Sequence, residues 1–175
     1  MFNLWNFVAY QLAWFAVLIS ASLGVAWAGA ATAILVAAVH VSLRRDPLEL
    51  QLIGIAAGIG LLVDSTLALT GQVRFEAAWP EGFAPYWMLC LWTAFATTLN
   101  HSLRWLMNRP VAAALAGAVG GPLAYLAGAK LGALTIATPA VTLPFIALLW
   151  TPAMIALSMI VLRAAKLPAA GRLPA

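Results

Sequence analysis

The sequence contains very little charge. It has nine Lys and Arg and five Asp and Glu residues in 175, while 65% of its residues are hydrophobic. A soluble domain of this length needs far more charged side chains to cover its surface. The few basic residues form no contiguous patch, so we expect no nucleic-acid partner. The composition indicates a protein whose main partner is the lipid bilayer.

Cysteine is almost absent, and the first segment carries no basic residues. Cys90 is the only cysteine, which excludes an internal disulfide and a paired-thiol metal site. Its apolar neighbours favour a small buried residue. The N-terminus lacks the basic region of a secretory signal, so we interpret the first apolar segment as a retained anchor.

Long apolar runs predict an all-α fold, a polytopic transmembrane helix bundle with about six spans. The first run, 4–41, is too long for one crossing of a bilayer core of roughly 30 Å, and 20–24 offers the only plausible turn. Residues 1–162 then form a single transmembrane domain, and 163–175 form a disordered cytoplasmic tail. The predicted helices are 4–19, 25–43, 48–70, 86–107, 110–129 and 142–162.

Capping residues, glycine and proline predict where several helices begin, bend or end. Asp46 is positioned to cap predicted helix 3, with Pro47 at its first position. Gly120, Gly121 and Pro122 predict a kink or break within predicted helix 5. The segment 72–85 is the longest polar excursion and is expected to form an interfacial loop.

The placement of basic residues predicts the orientation. They concentrate in the connections after predicted helices 2 and 4 and in the tail, whereas only Arg74 and Lys130 lie on the opposite side. Because Lys and Arg remain on the cytoplasmic side, both termini are predicted to be cytoplasmic, in a bacterial inner membrane.

Asp64 is a carboxylate inside predicted helix 3. A charge facing lipid costs several kcal/mol, so Asp64 must face protein or water. Tyr125 and Lys130 of predicted helix 5 end on the same side of the membrane and could meet it. The acid is then either a neutralised structural group or a carboxylate that binds a proton or ligand. Gly54, Gly58 and Gly60 precede it and would let a neighbouring helix approach closely.

Predicted helix 4 carries a polar stripe at spacings of three and four. These side chains either form interhelical hydrogen bonds or face a ligand. With Asp64 and Tyr125 they give the predicted ligand-binding set. That set is Asp64, Thr93, Thr97, Asn100, His101 and Tyr125.

Glu49 and Arg104 should lie level at the cytoplasmic edge and form a structural ion pair. His40 and His101 lie at a similar depth. These residues come from three helices with no local spacing motif, so the sequence predicts no metal site and no other cofactor. No serine–histidine–acid set has a recognisable local context either.

Three sequence blocks carry a resemblance that covers essentially the whole chain: VDSTLALTG (63–71), LWTAFATTLN (91–100) and GGPLAY (120–125). In these blocks the sequence resembles a family of small polytopic bacterial inner-membrane proteins known only as a domain of unknown function. Members of that family are often encoded beside fatty-acid-modifying enzymes, which implies a role in lipid metabolism. In size and helix count the chain is also similar, more weakly, to the substrate-binding subunits of vitamin transporters.

Three hypotheses follow from these patterns. The first is a non-catalytic protein that binds or passes a small or lipid-like ligand between predicted helices 3, 4 and 5. The second is a membrane enzyme acting on lipid, which requires His40, Glu49, Asn100 and His101 to converge. The third is an accessory subunit with a membrane-protein partner, which requires a Gly-rich outer face on predicted helix 3 or 5.

Overall fold

A computed structural model describes residues 2–166 of the chain. Within this range the protein has seven α-helices and two short β-strands. In chain order the elements are α1 (Phe2–Ser22), α2 (Ala26–Arg44), α3 (Pro47–Leu69), β1 (Val73–Phe75), α4 (Tyr86–Leu99), α5 (Arg104–Met107), α6 (Pro110–Lys130), β2 (Leu134–Ile136) and α7 (Pro139–Lys166).

Five of the described helices, α1, α2, α3, α6 and α7, are long and apolar enough to cross a membrane. The shorter apolar helix α4 has 14 residues and measures about 21 Å. Each of the six predicted helical segments therefore contains a helix, and the expected all-α membrane bundle is confirmed. The protein is a multi-pass membrane protein by these features.

Helix α4 lies in the middle of the bundle. It packs against α1, α2 and α3, and Trp87, Ala94, Thr97 and Leu99 are completely buried. A helix surrounded by protein does not have to match the bilayer thickness. The predicted extent of 86–107 was wrong, because α4 stops at Leu99 and a four-residue turn separates it from α5.

The two ends of the bundle differ in structure. At one end, β1 pairs antiparallel with β2, with Arg74 opposite Thr135. We call this the sheet end. The other, the arginine end, carries the α2–α3 connection and α5. Strands of three residues are too short to show an alternating pattern, so the sequence analysis missed this pairing.

Local signals at the helix ends behave largely as expected. Gly24 has a φ of 76° in the turn between α1 and α2. This turn spans residues 23–25, so it overlaps the predicted turn at 20–24 and ends one residue later. Asp46 caps α3, since its carboxylate accepts a hydrogen bond from the backbone N–H of Leu48 at 3.0 Å. Pro47 occupies the start of that helix, as predicted.

The glycines of α3 divide into two groups. A Cβ on Gly60 would overlap the indole of Trp92, so this glycine allows α4 to approach α3 closely. A Cβ on Gly54 or Gly58 would meet nothing within 4 Å. Only Gly60 therefore fills the predicted packing role against α4, while the other two lie on an exposed face of α3 of the kind that the accessory-subunit hypothesis requires.

Helix α6 continues through its Gly-Gly-Pro sequence without the predicted break. Gly117 and Gly121 instead face α7, where a Cβ would press on Met154 and Trp150. The predicted tail also begins too early, because α7 runs to Lys166. The rest of that predicted tail, 167–175, lies outside the described residues.

Candidate functional site

The structure separates the predicted site into two polar clusters. The first, which we call the Asp64 cluster, consists of Asp64, Trp92 and Tyr125. Asp64 is completely buried. Its Oδ2 accepts a hydrogen bond from Trp92 Nε1 at 2.8 Å, and its Oδ1 accepts one from the Tyr125 hydroxyl. The acid is thus held by two neutral donors from α4 and α6, and Lys130 is exposed.

Local geometry explains why Trp92 reaches the acid. Gly60 lies one turn before Asp64 on α3, and its missing side chain leaves room for the indole. The same indole stacks on Trp150 of α7, with ring centroids 4.8 Å apart and an interplanar angle of 27°. Trp92 therefore links three helices at the depth of Asp64.

A narrow apolar cleft with a volume of about 50 Å³ lies beside the Asp64 cluster. Helices α1, α4, α6 and α7 all contribute to its wall, together with Leu134 of β2. Trp92 and Tyr125 line it, but Asp64 does not, so these two side chains stand between the carboxylate and the cleft. The lining residues are Tyr10, Trp14, Leu18, Met88, Leu91, Trp92, Phe95, Ala124, Tyr125, Leu134 and Trp150.

One buried polar atom in this wall lacks a partner. The indole Nε1 of Trp150 is inaccessible to solvent and forms no hydrogen bond within residues 2–166. Buried donors are normally paired, because an unpaired one costs about 1–3 kcal/mol. Six of the eleven side chains in the cleft wall are aromatic, and one of them, Trp150, carries an N–H group that lacks an acceptor and is closed off from solvent.

The second cluster lies near the arginine end and centres on Glu49. We call it the Glu49 cluster and define it as Asn6, His40, Glu49, Asn100, His101 and Ser102. Glu49 is 2% exposed although it is ionisable. Its carboxylate meets His40 Nε2 at 3.2 Å and His101 Nε2 at 2.8 Å, and it accepts a hydrogen bond from Asn100 Nδ2 at 3.1 Å.

Asn6 of α1 orients the outer part of this cluster. Its amide nitrogen lies 3.3 Å from His40 Nδ1 and donates to the Thr97 carbonyl at 3.1 Å. Its amide oxygen accepts from the Ser102 hydroxyl at 2.6 Å. This pattern assigns the proton of His40 to Nε2, which then donates to Glu49, while Nδ1 accepts.

The residues of the Glu49 cluster come together because α4 ends at Leu99. The backbone N–H groups of His101 and Leu103 both donate to the Thr98 carbonyl, which closes the turn after Leu99. The turn directs Asn100, His101 and Ser102 toward α1, α2 and α3 instead of continuing the helical stripe. A continuous helix would have carried these side chains onward at 3.6 residues per turn.

The predicted ion pair between Glu49 and Arg104 is therefore wrong. In the part of the chain that the structure describes, Glu49 is within hydrogen-bond distance of His40 and His101, while Arg104 is exposed. The reason is the early end of α4. Counting residues along one uninterrupted helix placed Arg104 level with Glu49, but the turn at 100–103 brings His101 there.

The two threonines of the predicted polar stripe donate hydrogen bonds to backbone carbonyls of their own helix. The Thr93 hydroxyl donates to the Cys90 carbonyl, and the Thr97 hydroxyl donates to the Ala94 carbonyl, each at 2.7 Å. Thr97 is buried against Asn6, and neither threonine lines the cleft. The structure brings Asp64 and Tyr125 together, joins Asn100 with His101, and leaves Thr93 in neither cluster.

The two clusters lie far apart on α3. Glu49 and Asp64 are separated by fifteen residues, which corresponds to about 22 Å along the helix. The six residues predicted as one site therefore cannot contact one ligand of ordinary size together.

Sequence reasoning missed Asn6, Ser102, Trp92 and Trp150. Asn6 had a usable signal, since it is a buried amide within an apolar span and such groups face the bundle interior. The tryptophans had none, because an indole in a membrane helix is ordinary. Their role depends on Gly60 and on the packing of α7, which one sequence does not disclose.

An apolar groove of about 450 Å³ runs along α1 and α2 and reaches Asn6 and His40. Phe2 covers the Glu49 cluster at this edge, with its ring centroid 5.9 Å from that of His40 and 5.3 Å from that of His101. The Arg44 guanidinium lies 4.9 Å from the Phe2 ring centroid. The cluster thus borders an apolar surface, and Phe2 of that surface also forms the cation–aromatic contact with Arg44.

Comparison with known proteins identifies a family. No curated protein and no solved structure matches the chain. A family model matches residues 3–156, which cover five of the six predicted helices and most of the sixth. The chain belongs to the family described as "Protein of unknown function (DUF2878)".

Proposed function

We propose that this membrane protein binds a lipid-like or other small amphiphilic ligand in the cleft between α1, α4, α6 and α7. The observation that carries the proposal is the cleft itself, which is apolar, is lined largely by aromatic side chains and lies next to the Asp64 cluster. Its position replaces the site expected between predicted helices 3, 4 and 5.

The wall of the cleft suits an apolar chain or ring with one polar group. Six of the eleven lining side chains are aromatic, and a small rotation of Trp150 would bring its unpaired Nε1 to the ligand's polar acceptor. Satisfying a buried donor strengthens binding by removing the cost of leaving it unpaired. In this proposal Asp64 does not touch the ligand; it holds Trp92 and Tyr125 in place.

The direction of entry follows from the helices around the cleft. Tyr10 and Trp14 of α1 form one side, and Ala124 of α6 contributes to the other. Helix α1 packs mainly on α2 and α4, whereas α6 packs mainly on α7, so the two sides belong to separate helix pairs. A ligand dissolved in the bilayer would enter between them.

A cleft-filling variant tests this proposal. In Ala124→Phe the ring would occupy the cleft, and we expect enriched lipids or metabolites to fall at least about tenfold, because overpacking costs about 1–3 kcal/mol. The measurement is mass spectrometry of compounds extracted from purified protein, relative to the whole-membrane extract. Ala118→Phe is the control, since Ala118 is half-buried on the same helix outside the cleft.

Two outcomes would contradict ligand binding in this cleft. Wild-type protein could carry only the bulk lipids of the membrane, with no enriched compound. Alternatively, Ala124→Phe could retain an enriched compound at the level of Ala118→Phe, which would place the ligand elsewhere.

A membrane enzyme acting on lipid is a second candidate, because its geometric requirement is met. His40, Asn100 and His101 all reach Glu49 within hydrogen-bond distance. Such a set can hold and transfer a proton at a substrate placed beside it. The test is lipid profiling of cells producing the wild type or Glu49→Gln. A product that depends on Glu49 supports this candidate, and identical lipid profiles contradict it.

A further inference from the structure

We propose that His40, Glu49 and His101 bind one divalent transition-metal ion near the arginine end of the bundle. One ligand atom from each of these residues lies within 4.8 Å of the others. Two imidazoles and one carboxylate are a common ligand set for Zn²⁺ and for Fe²⁺ in proteins.

The spacing is close to what an ion requires. Ligand atoms placed tetrahedrally about 2.1 Å from Zn²⁺ lie roughly 3.4 Å from one another. The two Nε2 atoms are 2.8 Å and 3.2 Å from carboxylate oxygens of Glu49. Side-chain rotations that bring the farthest pair of ligand atoms from as much as 4.8 Å to roughly 3.4 Å would therefore admit the ion.

Charge also favours a cation here. With both histidines neutral, the Glu49 cluster carries one formal negative charge at 2% exposure. No Lys or Arg within residues 2–166 forms an ion pair with Glu49. A buried charge without a counterion is costly, and a divalent ion compensates it. Protonation of one histidine would do the same, so the experiment must distinguish a metal from a proton.

Neighbouring residues supply the hydrogen bonds that orient metal ligands. Asn100 Nδ2 already donates to Glu49 Oε1. A metal ion on Nε2 of His40 would leave the ring proton on Nδ1. The Asn6 amide would then rotate by about 180°, so that its oxygen accepts a hydrogen bond from Nδ1. The Ser102 hydroxyl, which now donates to Asn6, would then accept from the amide nitrogen, and the Thr97 carbonyl would lose the donor that Asn6 now supplies.

Three protein ligands would leave at least one coordination position open. Open positions distinguish catalytic metal sites from closed structural ones. His40 and Asn6 border the apolar groove of α1 and α2. A water molecule or the polar end of an amphiphile in that groove could occupy the open position.

This inference departs from the expectation of no metal drawn from the sequence. His40 and Glu49 lie on α2 and α3, and His101 lies in the turn after α4. No spacing motif joins them, so their proximity depends on the fold. The inference does not depend on ligand binding in the cleft, which lies nearer the other end of the bundle.

The test is metal binding by the full-length protein in detergent. After chelation and dialysis, the wild type is titrated with Co²⁺, and bound metal is counted by mass spectrometry. We expect about one ion per chain and the visible absorption of four- or five-coordinate Co²⁺. Glu49→Gln should lose at least about tenfold in affinity. Asp64→Asn, which alters the other buried acid, should bind as the wild type does.

A third variant keeps the proposal open to refutation if Glu49→Gln folds poorly. His101→Cys should still bind Co²⁺ and should gain a thiolate-to-metal charge-transfer band. Failure of the wild type to bind Co²⁺ or Zn²⁺ above the level of Glu49→Gln would overturn the proposal and leave protonation of a histidine. Co²⁺ binding by His101→Cys without the thiolate band would also overturn it.

Discussion

Two buried acids on the same helix are held in different ways. Asp64 accepts hydrogen bonds from an indole and a phenol, both neutral groups with one proton to donate. Glu49 meets two imidazoles and an amide. Imidazoles can release their proton and bind a metal, whereas indole and phenol donors at a carboxylate fix its position. This difference fits the positioning role proposed for Asp64 and the cation-binding role proposed for Glu49.

The largest expected effect concerns the approach of α4 to α3. Gly60→Ala should destabilise the protein by about 3 kcal/mol, because the new methyl group displaces Trp92 and leaves a buried carboxylate short of a donor. Reversible unfolding in mixed detergent micelles measures the change. Gly58→Ala is the matched control and should be neutral or stabilising by up to about 1 kcal/mol, since its Cβ meets open space. Equal losses in both variants would contradict the close contact.

Removal of one donor from Asp64 should have the next largest effect. Tyr125→Phe should cost about 1–2 kcal/mol, because the completely buried Asp64 carboxyl group would lose one of its two donors. Tyr10→Phe, in the wall of the same cleft, should change stability by less than about 0.5 kcal/mol. The same unfolding assay compares the two, and a larger loss in the Tyr10 variant would refute the assignment.

The stability of the protein should depend on the Asn6 amide that orients the Glu49 cluster. Asn6→Ala should destabilise by about 1–2 kcal/mol, because the Thr97 carbonyl and the Ser102 hydroxyl lose a buried partner. Exposed Asn3 on the same helix provides the control, and Asn3→Ala should be nearly neutral. If Asn6→Ala unfolded with the wild-type free energy, the network would contribute nothing to stability.

The smallest expected effect is at Arg104. Because this residue is exposed and Glu49 bonds to histidines, Arg104→Ala should change the unfolding free energy by less than about 0.5 kcal/mol. A loss of 2 kcal/mol or more would restore the ion pair that the sequence suggested and would contradict the turn at 100–103.

The membrane architecture was predictable because it follows from the apolar runs and from the proline and capping residues that mark helix ends. Apolar runs placed all six helical segments, and Asp46 with Pro47 marked the start of α3 as observed. The contact of Asp64 with Tyr125 was also predictable, since both residues were expected toward the same side of the membrane.

The division of the site into two clusters was not predictable in the same way. It depends on where α4 ends, and LWTAFATTLN contains no glycine or proline to mark that end. The hydrogen bonds of Thr98 and the packing of Asn6 decide it, and both are tertiary features. When residues are counted along one continuous helix but the helix in fact ends at a turn, every residue after the turn is assigned the wrong neighbour. This is what happened with Arg104.

A double-mutant cycle between Tyr125→Phe and Asn6→Ala tests the separation of the two clusters most directly. Sites about 22 Å apart without shared partners should give unfolding free energies that add within about 0.5 kcal/mol. Additivity is the result that this account predicts. A coupling above about 1 kcal/mol would mean that the two buried acids belong to one continuous network, which would contradict it.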